Sequence, residues 1–323
     1  MSSQQTHGAM TDGVRGPVVG LVGTGRMGSA MARALARAGR PLVLHNRTPE
    51  RATALAAELG ARVAATPAEL ASMADVVLTM LADDRAVEHV YGGSEGLIEG
   101  VRGGSVLVDL STVTPETIRS LAVPVRAVGA GLLDAPVSGS TATAESGQLT
   151  LMVGGEAADL ERARPALEPL ARAIFHLGPL GSGSAMKLAV NAVIFGLNEA
   201  AAEGLVLAEA AGIDRALAYD VIAASAAGAP YLGYKRAAFL DPGATPVAFA
   251  LDLAEKDLRL ITALAAALGV PVPQAATNLA LIRAASTGGR GGQDFSTVAD
   301  ELRATTTRSD TGAVHPNREE IPG

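Results

Sequence analysis

The sequence predicts an α/β domain followed by an all-α domain, with a long apolar helix between them. Three observations carry this expectation. Short apolar runs alternate with helical patterns from Pro17 to Gly181, as in parallel strands linked by crossover helices. From Ser184 to about Thr305 the alternation stops and alanine-rich helical patterns replace it. The stretch from Ala185 to Ala211 is apolar around its whole circumference, interrupted by Lys187, Asn191, Asn198, Glu199, Glu203 and Glu209. It reads as a buried helix, not a membrane span. The expected organisation is a tail over 1–16, an α/β domain over 17–181, a helical domain over 182–305 and a disordered tail over 306–323.

The strands and helices follow in order. Pro17 to Gly23 is a short buried strand, and Gly23-Thr-Gly25-Arg26-Met27-Gly28 leads from it into a small-residue helix ending near Ala38. This is G-x-G-x-x-G in the setting it requires. The first glycine permits the tight turn, the second lets a pyrophosphate approach the backbone, and the third lets helix and strand pack closely. A dinucleotide-binding Rossmann domain follows. The second strand, Leu42 to Asn46, ends in Asn46-Arg47-Thr48 where an acidic residue would hold a ribose 2′-hydroxyl. Arg47 can pair with a 2′-phosphate through its fork of donors, and Asn46 and Thr48 add neutral hydrogen bonds. NADP is therefore expected over NAD.

Arg51 to Leu59 reads as a helix, Arg62-Val-Ala as a third strand, and Pro67 to Met73 as a helix capped by Thr66. Asp75 to Leu81 is a fourth strand whose end falls at the carboxyl edge of the sheet, where ligands bind. Asp83 and Asp84 then read as a solvated turn. Ser105 to Leu110 is a fifth strand, after which Thr114 caps a helix with Pro115 at its first position, and Ser111 and Thr112 lie at the strand end. Leu132 to Ser140 is a strand breaking into a loop of small residues, whose free N–H groups and Ser138 hydroxyl could receive a carboxylate. Gln148 to Val153 is a strand and Ala157 to Ala171 a helix leading to Ala173–His176.

Gly178-Pro-Leu-Gly-Ser-Gly-Ser-Ala-Met-Lys187-Leu-Ala-Val-Asn191 then opens the helical domain. Lys187 and Asn191 share one helix face. A lysine one turn into a helix stands near free N–H groups that would welcome an anion, which suits proton-transfer chemistry. Lys256 is a second candidate cation, with Asp252 one turn before it as a simple ion-pair partner. Arg259, Tyr231, Tyr234 and Phe239 could line a pocket, although such aromatics commonly form helix core.

Composition narrows the function classes. A formal net charge of −7 argues against nucleic acid or an anionic membrane as partner. The absence of cysteine excludes disulfides, zinc thiolates and thiol nucleophiles, and no metal site is expected. The polar first sixteen residues lack an apolar signal-peptide core, which points to a cytoplasmic protein. The all-round apolar helix from Ala185 suggests a homodimer or higher homo-oligomer.

Taken together, these residues resemble the β-hydroxyacid dehydrogenase family, which includes 3-hydroxyisobutyrate dehydrogenase, tartronate semialdehyde reductase and glyoxylate/succinic semialdehyde reductase. The resemblance covers roughly Val18 to Ala285 and rests on Gly23–Gly28, on Asp134-Ala-Pro-Val-Ser-Gly139 with Gly147, on Gly178–Asn191 and on Lys256-Asp-Leu258. It implies Lys187 as acid/base, with Asn191 holding substrate beside it. It also implies Ser138 and Gly139 at the substrate carboxylate, Leu81 and Thr112 on the nicotinamide side of the cofactor, and Lys256 reaching cofactor or substrate. Ser140 stands where the family commonly continues with a second glycine; were φ positive there, serine would cost about 1 kcal/mol or more. The expected reaction is NADPH-dependent interconversion of a small carboxylate-bearing aldehyde or ketone and its hydroxyacid. The rivals are an imine reductase, in which the lysine position typically holds aspartate, tyrosine or another residue, and a non-catalytic NADP-binding protein.

Overall fold

The computed structural model describes residues 16–310; the expected tails over 1–15 and 311–323 lie outside the described residues. The chain forms two compact units, one ending at Ser184 and the other beginning at Ala185.

The first unit is built on β1 (Val19–Val22), α1 (Arg26–Arg37), β2 (Leu42–His45), α2 (Pro49–Leu59), β3 (Arg62–Val63), α3 (Pro67–Met73), β4 (Val76–Thr79), α4 (Asp84–Gly92) and α5 (Leu97–Gly100). It continues with β5 (Val106–Asp109), α6 (Pro115–Ser120), α7 (Ala122–Ala127), β6 (Gly131–Asp134), β7 (Val137–Ser138), α8 (Thr141–Glu145), β8 (Leu149–Gly155), α9 (Ala157–Leu167) and β9 (Ala171–His176). The sheet has nine strands in the order β3-β2-β1-β4-β5-β6-β8-β7, with β9 beside β8. From β3 to β6 every pairing is parallel, and β8 runs antiparallel to β6 and β7. All residues of β1, β4 and β5 are buried, as expected of parallel strands covered on both faces. Because β1 lies between β2 and β4, the strand order reverses at its carboxyl end. A doubly wound sheet places its ligand crevice there.

Local chemistry explains most helix starts. Thr66 accepts from the Glu69 N–H while Glu69 reaches back to the Ala65 N–H, which satisfies two orphan donors of α3. Thr114 caps α6 as expected. Asp83 and Asp84 are not a solvated turn. Asp83 caps α4 by accepting from the Ala86 N–H, and Asp84 accepts from Thr114 N–H and from the Thr114 and Thr117 hydroxyls. Three donors, two from the α6 cap Thr114 and one from Thr117, hold its carboxyl below the ordinary range against the opposing effect of burial. The short helices α4, α5, α7 and α8 escaped sequence periodicity because each spans too few turns to display a pattern.

The second unit comprises α10 (Ser182–Ala210, starting in the first unit), α11 (Arg215–Ala224), α12 (Pro230–Leu240), α13 (Leu251–Leu268), α14 (Pro273–Ala285) and α15 (Val298–Asp310). Helix α10 is long and apolar enough to cross a membrane by composition. In the fold it is a core helix, burying Leu188, Phe195, Ala202 and Leu205 together with Asn191, Asn198 and Glu199. The Phe195, Phe249 and Phe295 rings pack with centroids 5.6–6.2 Å apart, and burial of each such side chain contributes about 1.5–3 kcal/mol. Helix α15 continues past the expected end at Thr305, so the tail expected from 306 is helical as far as Asp310. Good helix formers earlier in the segment, such as Glu301, Leu302, Arg303 and Ala304, carry it forward, and the Thr306 hydroxyl donates back to the Leu302 carbonyl within the helix.

Candidate active site

In the first unit, the turn after β1 holds its three glycines for distinct reasons. Gly23 has φ +99°, and a Cβ there would lie 2.3 Å from the Met80 carbonyl oxygen. A Cβ on Gly28 would lie 1.9 Å from the Gly23 carbonyl. A Cβ on Gly25 would meet nothing within 4 Å, so this side of the loop opens outward. The Thr24 hydroxyl oxygen is buried without a hydrogen-bond partner among the described residues. An open glycine face beside an orphaned hydroxyl fits a phosphate-bearing ligand. Arg26 is exposed and Met27 half-buried at the helix start.

The β2 tip is tied to this loop. Asn46 accepts from the Thr24 N–H at 3.0 Å and donates to the Thr48 carbonyl at 3.0 Å. Its carboxamide therefore serves first to hold loop and tip together, a role the sequence did not indicate. Arg47 and Thr48 are exposed, and the Thr48 side chain makes no capping bond to α2.

At the next strand ends, Leu81 and Thr112 are both half-buried. The Leu81 N–H donates to the Ser111 hydroxyl, which binds Asp109. Ser111 thus ties the ends of β4 and β5 together. Beyond β7, Gly139 has φ +147°, and a Cβ there would sit 2.4 Å from the Thr143 hydroxyl. Ser138 is half-buried. Ser140 has φ −87°, so the possible cost of a positive φ does not arise; its hydroxyl caps α8 by accepting from the Thr143 N–H.

The start of α10 corrects one expectation. Three N–H groups at this end are already taken: Asp134, fully buried at the end of β6, accepts from Gly181 and Ser184 N–H at 2.8 and 2.7 Å, and Ser182 N–H bonds the Pro179 carbonyl. The carboxylate already answers the positive helix end.

In the second unit, Lys187, Asn191 and Lys256 gather around Asp257. The buried Asp257 accepts from the Asn191 amide at 2.8 Å, and its other oxygen lies 2.8 Å from the Lys256 ammonium. Lys256 thus pairs with Asp257, whereas Asp252 takes the Ser286 hydroxyl. Burial lowers the Lys187 pKa to about 8; the charge of Asp257 pulls it upward and that of Lys256 pushes it down. Asp257 itself is raised by burial, against the pull of Lys256, Lys187 and Asn191. A half-buried amine near neutrality, fixed beside a carboxylate and an amide, can donate or accept a proton. Sequence reasoning had given Asp257 no role, although it lies inside the Lys256-Asp-Leu258 signature. Tyr231 and Phe239 are core side chains, with the Tyr231 hydroxyl donating to Asn198 at 2.7 Å, and Arg259 pairs with Glu255. Tyr234 is exposed.

Comparison with known proteins agrees with this architecture. Residues 18–178 match the NAD-binding domain of 6-phosphogluconate dehydrogenase, and residues 181–302 match the domain described as NAD-binding of NADP-dependent 3-hydroxyisobutyrate dehydrogenase. The chain is 34% identical to glyoxylate/succinic semialdehyde reductase 2 of Arabidopsis thaliana over 95% of its own length and 85% of the relative's. The crystal structure of 3-hydroxyisobutyrate dehydrogenase from Salmonella typhimurium superposes with a TM-score of 0.81 at 31% identity, covering 87% of this chain and 98% of that one. Imine reductase from Myxococcus stipitatus in complex with NADP+ is more distant, with a TM-score of 0.59 at 24% identity over 88% of this chain and 100% of that one, a likeness of fold alone. With both halves matched in order and the sequence similarity running almost from end to end, the chain belongs to the β-hydroxyacid dehydrogenase family of nicotinamide-dependent oxidoreductases.

Proposed function

We propose that this protein is an NADP(H)-dependent reductase of a small carbonyl compound bearing a carboxylate, such as a semialdehyde or a glyoxylate-like acid, with Lys187 as general acid. The observation that carries the reading is the grouping of Lys187, Asn191 and Asp257, with the Lys187 pKa brought to about 8. Gly23, Gly25, Arg26, Met27 and Gly28 would hold the pyrophosphate, supported by the open face at Gly25 and the orphaned Thr24 hydroxyl. Arg47 and Thr48 would receive the 2′-phosphate, with Asn46 holding their loop in place. Leu81 and Thr112 would flank the nicotinamide side. When bound, the reduced cofactor supplies a hydride to the carbonyl carbon. Protonated Lys187 gives its proton to the carbonyl oxygen, and neutral Lys187 takes it back in the reverse direction. Ser138, Gly139 and Ser140 would position the carboxylate, Asn191 would orient the substrate beside the lysine, and Lys256 would reach cofactor or substrate from α13.

A cytoplasmic homodimer completes the reading. Val193 and Leu207 on α10 and Leu217 and Val221 on α11 are each about 60% exposed or more, an apolar surface suited to a second copy of the chain. Sedimentation that found only the 32.5 kDa species at working concentrations would rule the dimer out. The function is tested by following NADPH and NADH oxidation with glyoxylate, succinic semialdehyde, methylmalonate semialdehyde and a cyclic imine. The expected outcome is turnover of a carboxylated carbonyl with higher kcat/KM for NADPH. Turnover of the imine alone, or of nothing, would refute the reaction, and a preference for NADH would refute the cofactor choice.

A further inference from the structure

Asp109, at the carboxyl end of β5, is 1% exposed. Its hydrogen-bond partners among the described residues are neutral. Thr79, directly across the β4–β5 register, donates its hydroxyl to Oδ2 at 2.5 Å. Ser111 donates its N–H to Oδ1 at 3.0 Å and its hydroxyl to Oδ2 at 3.2 Å. Since the Thr79 proton points at the carboxylate, the buried Tyr91 hydroxyl, 3.1 Å away, donates to Thr79. The Ser111 oxygen accepts in turn from the Leu81 N–H at 2.9 Å.

A carboxylate held this way is expensive. Burial raises its pKa to about 6, and the nearby charge of Asp134 acts in the same direction. An apolar side chain here would avoid burying the charge but would leave the Thr79 and Ser111 donors without an acceptor. Nor could it accept from the Ser111 N–H and hydroxyl, the contacts that turn the Ser111 oxygen, in the loop leaving β5, towards the Leu81 N–H in the loop leaving β4. Those loops carry the two residues assigned above to the nicotinamide side, Leu81 itself and Thr112, which follows Ser111.

We propose that Asp109 is a positioning residue for cofactor binding: through Ser111 and Thr79 it fixes the loops of Leu81 and Thr112 in the shape that receives the nicotinamide half. The inference rests on the cofactor reading given above. Its test is fluorescence titration of NADPH and NADH into wild type, Asp109→Asn and Ser111→Ala, with carbonyl KM, kcat and thermal melting measured alongside. Asp109→Asn keeps the volume but removes the charge that accepts from three donors, and Ser111→Ala cuts the link to Leu81 while leaving the charge. Both are expected to weaken cofactor binding by about tenfold, the scale of a lost hydrogen bond to a charged group. Carbonyl KM should move less than twofold. Asp159→Asn serves as the matched control. That buried carboxylate accepts from the Leu132 N–H at the opposite end of the sheet and pairs with Arg162, so its loss should lower melting without changing cofactor affinity. Wild-type affinity in folded Asp109→Asn and Ser111→Ala would overturn the inference while leaving the cofactor reading intact; a wild-type protein that bound neither NADPH nor NADH would overturn both. If Asp109→Asn failed to fold, Thr79→Val, which removes the other hydroxyl Asp109 holds, would be titrated beside Ser111→Ala, and wild-type affinity in both would overturn the inference.

Discussion

On the proposed mechanism, Asp257 sets the pH range over which Lys187 can act as an acid. In the folded protein Lys187 titrates at about 8, lowered by burial and held from falling further by Asp257. Carbonyl reduction requires the protonated amine, so kcat/KM should be flat below pH 8 and fall about tenfold per unit well above it. Hydroxyacid oxidation should show the opposite limb. Replacing Asp257 by Asn keeps a hydrogen-bonding side chain next to Asn191 but removes the charge, and leaves Lys256 as a cation without its 2.8 Å counter-ion. Both changes disfavour protonated Lys187. An opposite charge within about 4–6 Å is worth about 1–3 pKa units, so the break should move from about 8 to about 7 or lower. At pH 8.5 the protonated fraction would fall from about a quarter to about 3%, an approximately eightfold loss beyond any pH-independent effect. The assay is NADPH oxidation from pH 6 to 10 with the preferred carbonyl substrate from the panel, in wild type, Asp257→Asn and Lys187→Ala. Lys187→Ala should lose about 10²- to 10⁴-fold in kcat without a break near pH 8, and should retain NADPH affinity. An unmoved break in Asp257→Asn, or unchanged turnover in Lys187→Ala, would refute the reasoning.

Two further predictions concern stability. Glu199 is buried in α10 with one carboxyl oxygen lacking a partner among the described residues, and burial, reinforced by Glu203, raises its pKa to about 8. The folded state therefore holds this proton over a range where the unfolded chain has lost it, and stability falls as pH rises from about 4.3 towards 8. Glu199→Gln should match wild type near pH 4 and melt at a higher temperature at pH 8–9; equal melting at both would contradict this. Lys235 and Asp294 form a buried ion pair with contacts of 2.6 and 2.8 Å, and Asp294 also accepts from Ala248, Phe249 and Ser296 N–H. Burial pushes Asp294 up, but Lys235 together with the Ser296 and Phe249 N–H groups outweighs it and holds the carboxyl below its ordinary range. Asp294→Ala should lose about 3–5 kcal/mol in urea unfolding because it strands a buried ammonium. Adding Lys235→Met should recover only part of that loss, since the three N–H groups remain orphaned; full recovery would show that the carboxylate answers only the lysine.

The sequence by itself determined the α/β-then-helical order, the glycine turn after β1, the caps at Thr66 and Thr114, and the helix face shared by Lys187 and Asn191. These features depend on neighbours within a few residues: apolar period, φ preference and capping side chains are local properties of the chain. The tertiary structure alone decided which distant groups meet. Thr79 and Asp109 are 30 residues apart, Asp134 and Gly181 are 47 apart, Lys235 and Asp294 are 59 apart, and Asn191 and Asp257 are 66 apart. Strand register brings the first pair together and packing or loop return brings the others, none of which leaves a periodic trace. So Asp134 answers the helix start that looked open to an anion, Asn46 braces the loop beside which it stands, and Lys256 turns to the adjacent Asp257 rather than to Asp252. In each case a buried or half-buried polar group took the nearest partner that the fold supplied, because leaving it unpaired costs more than any local preference can return.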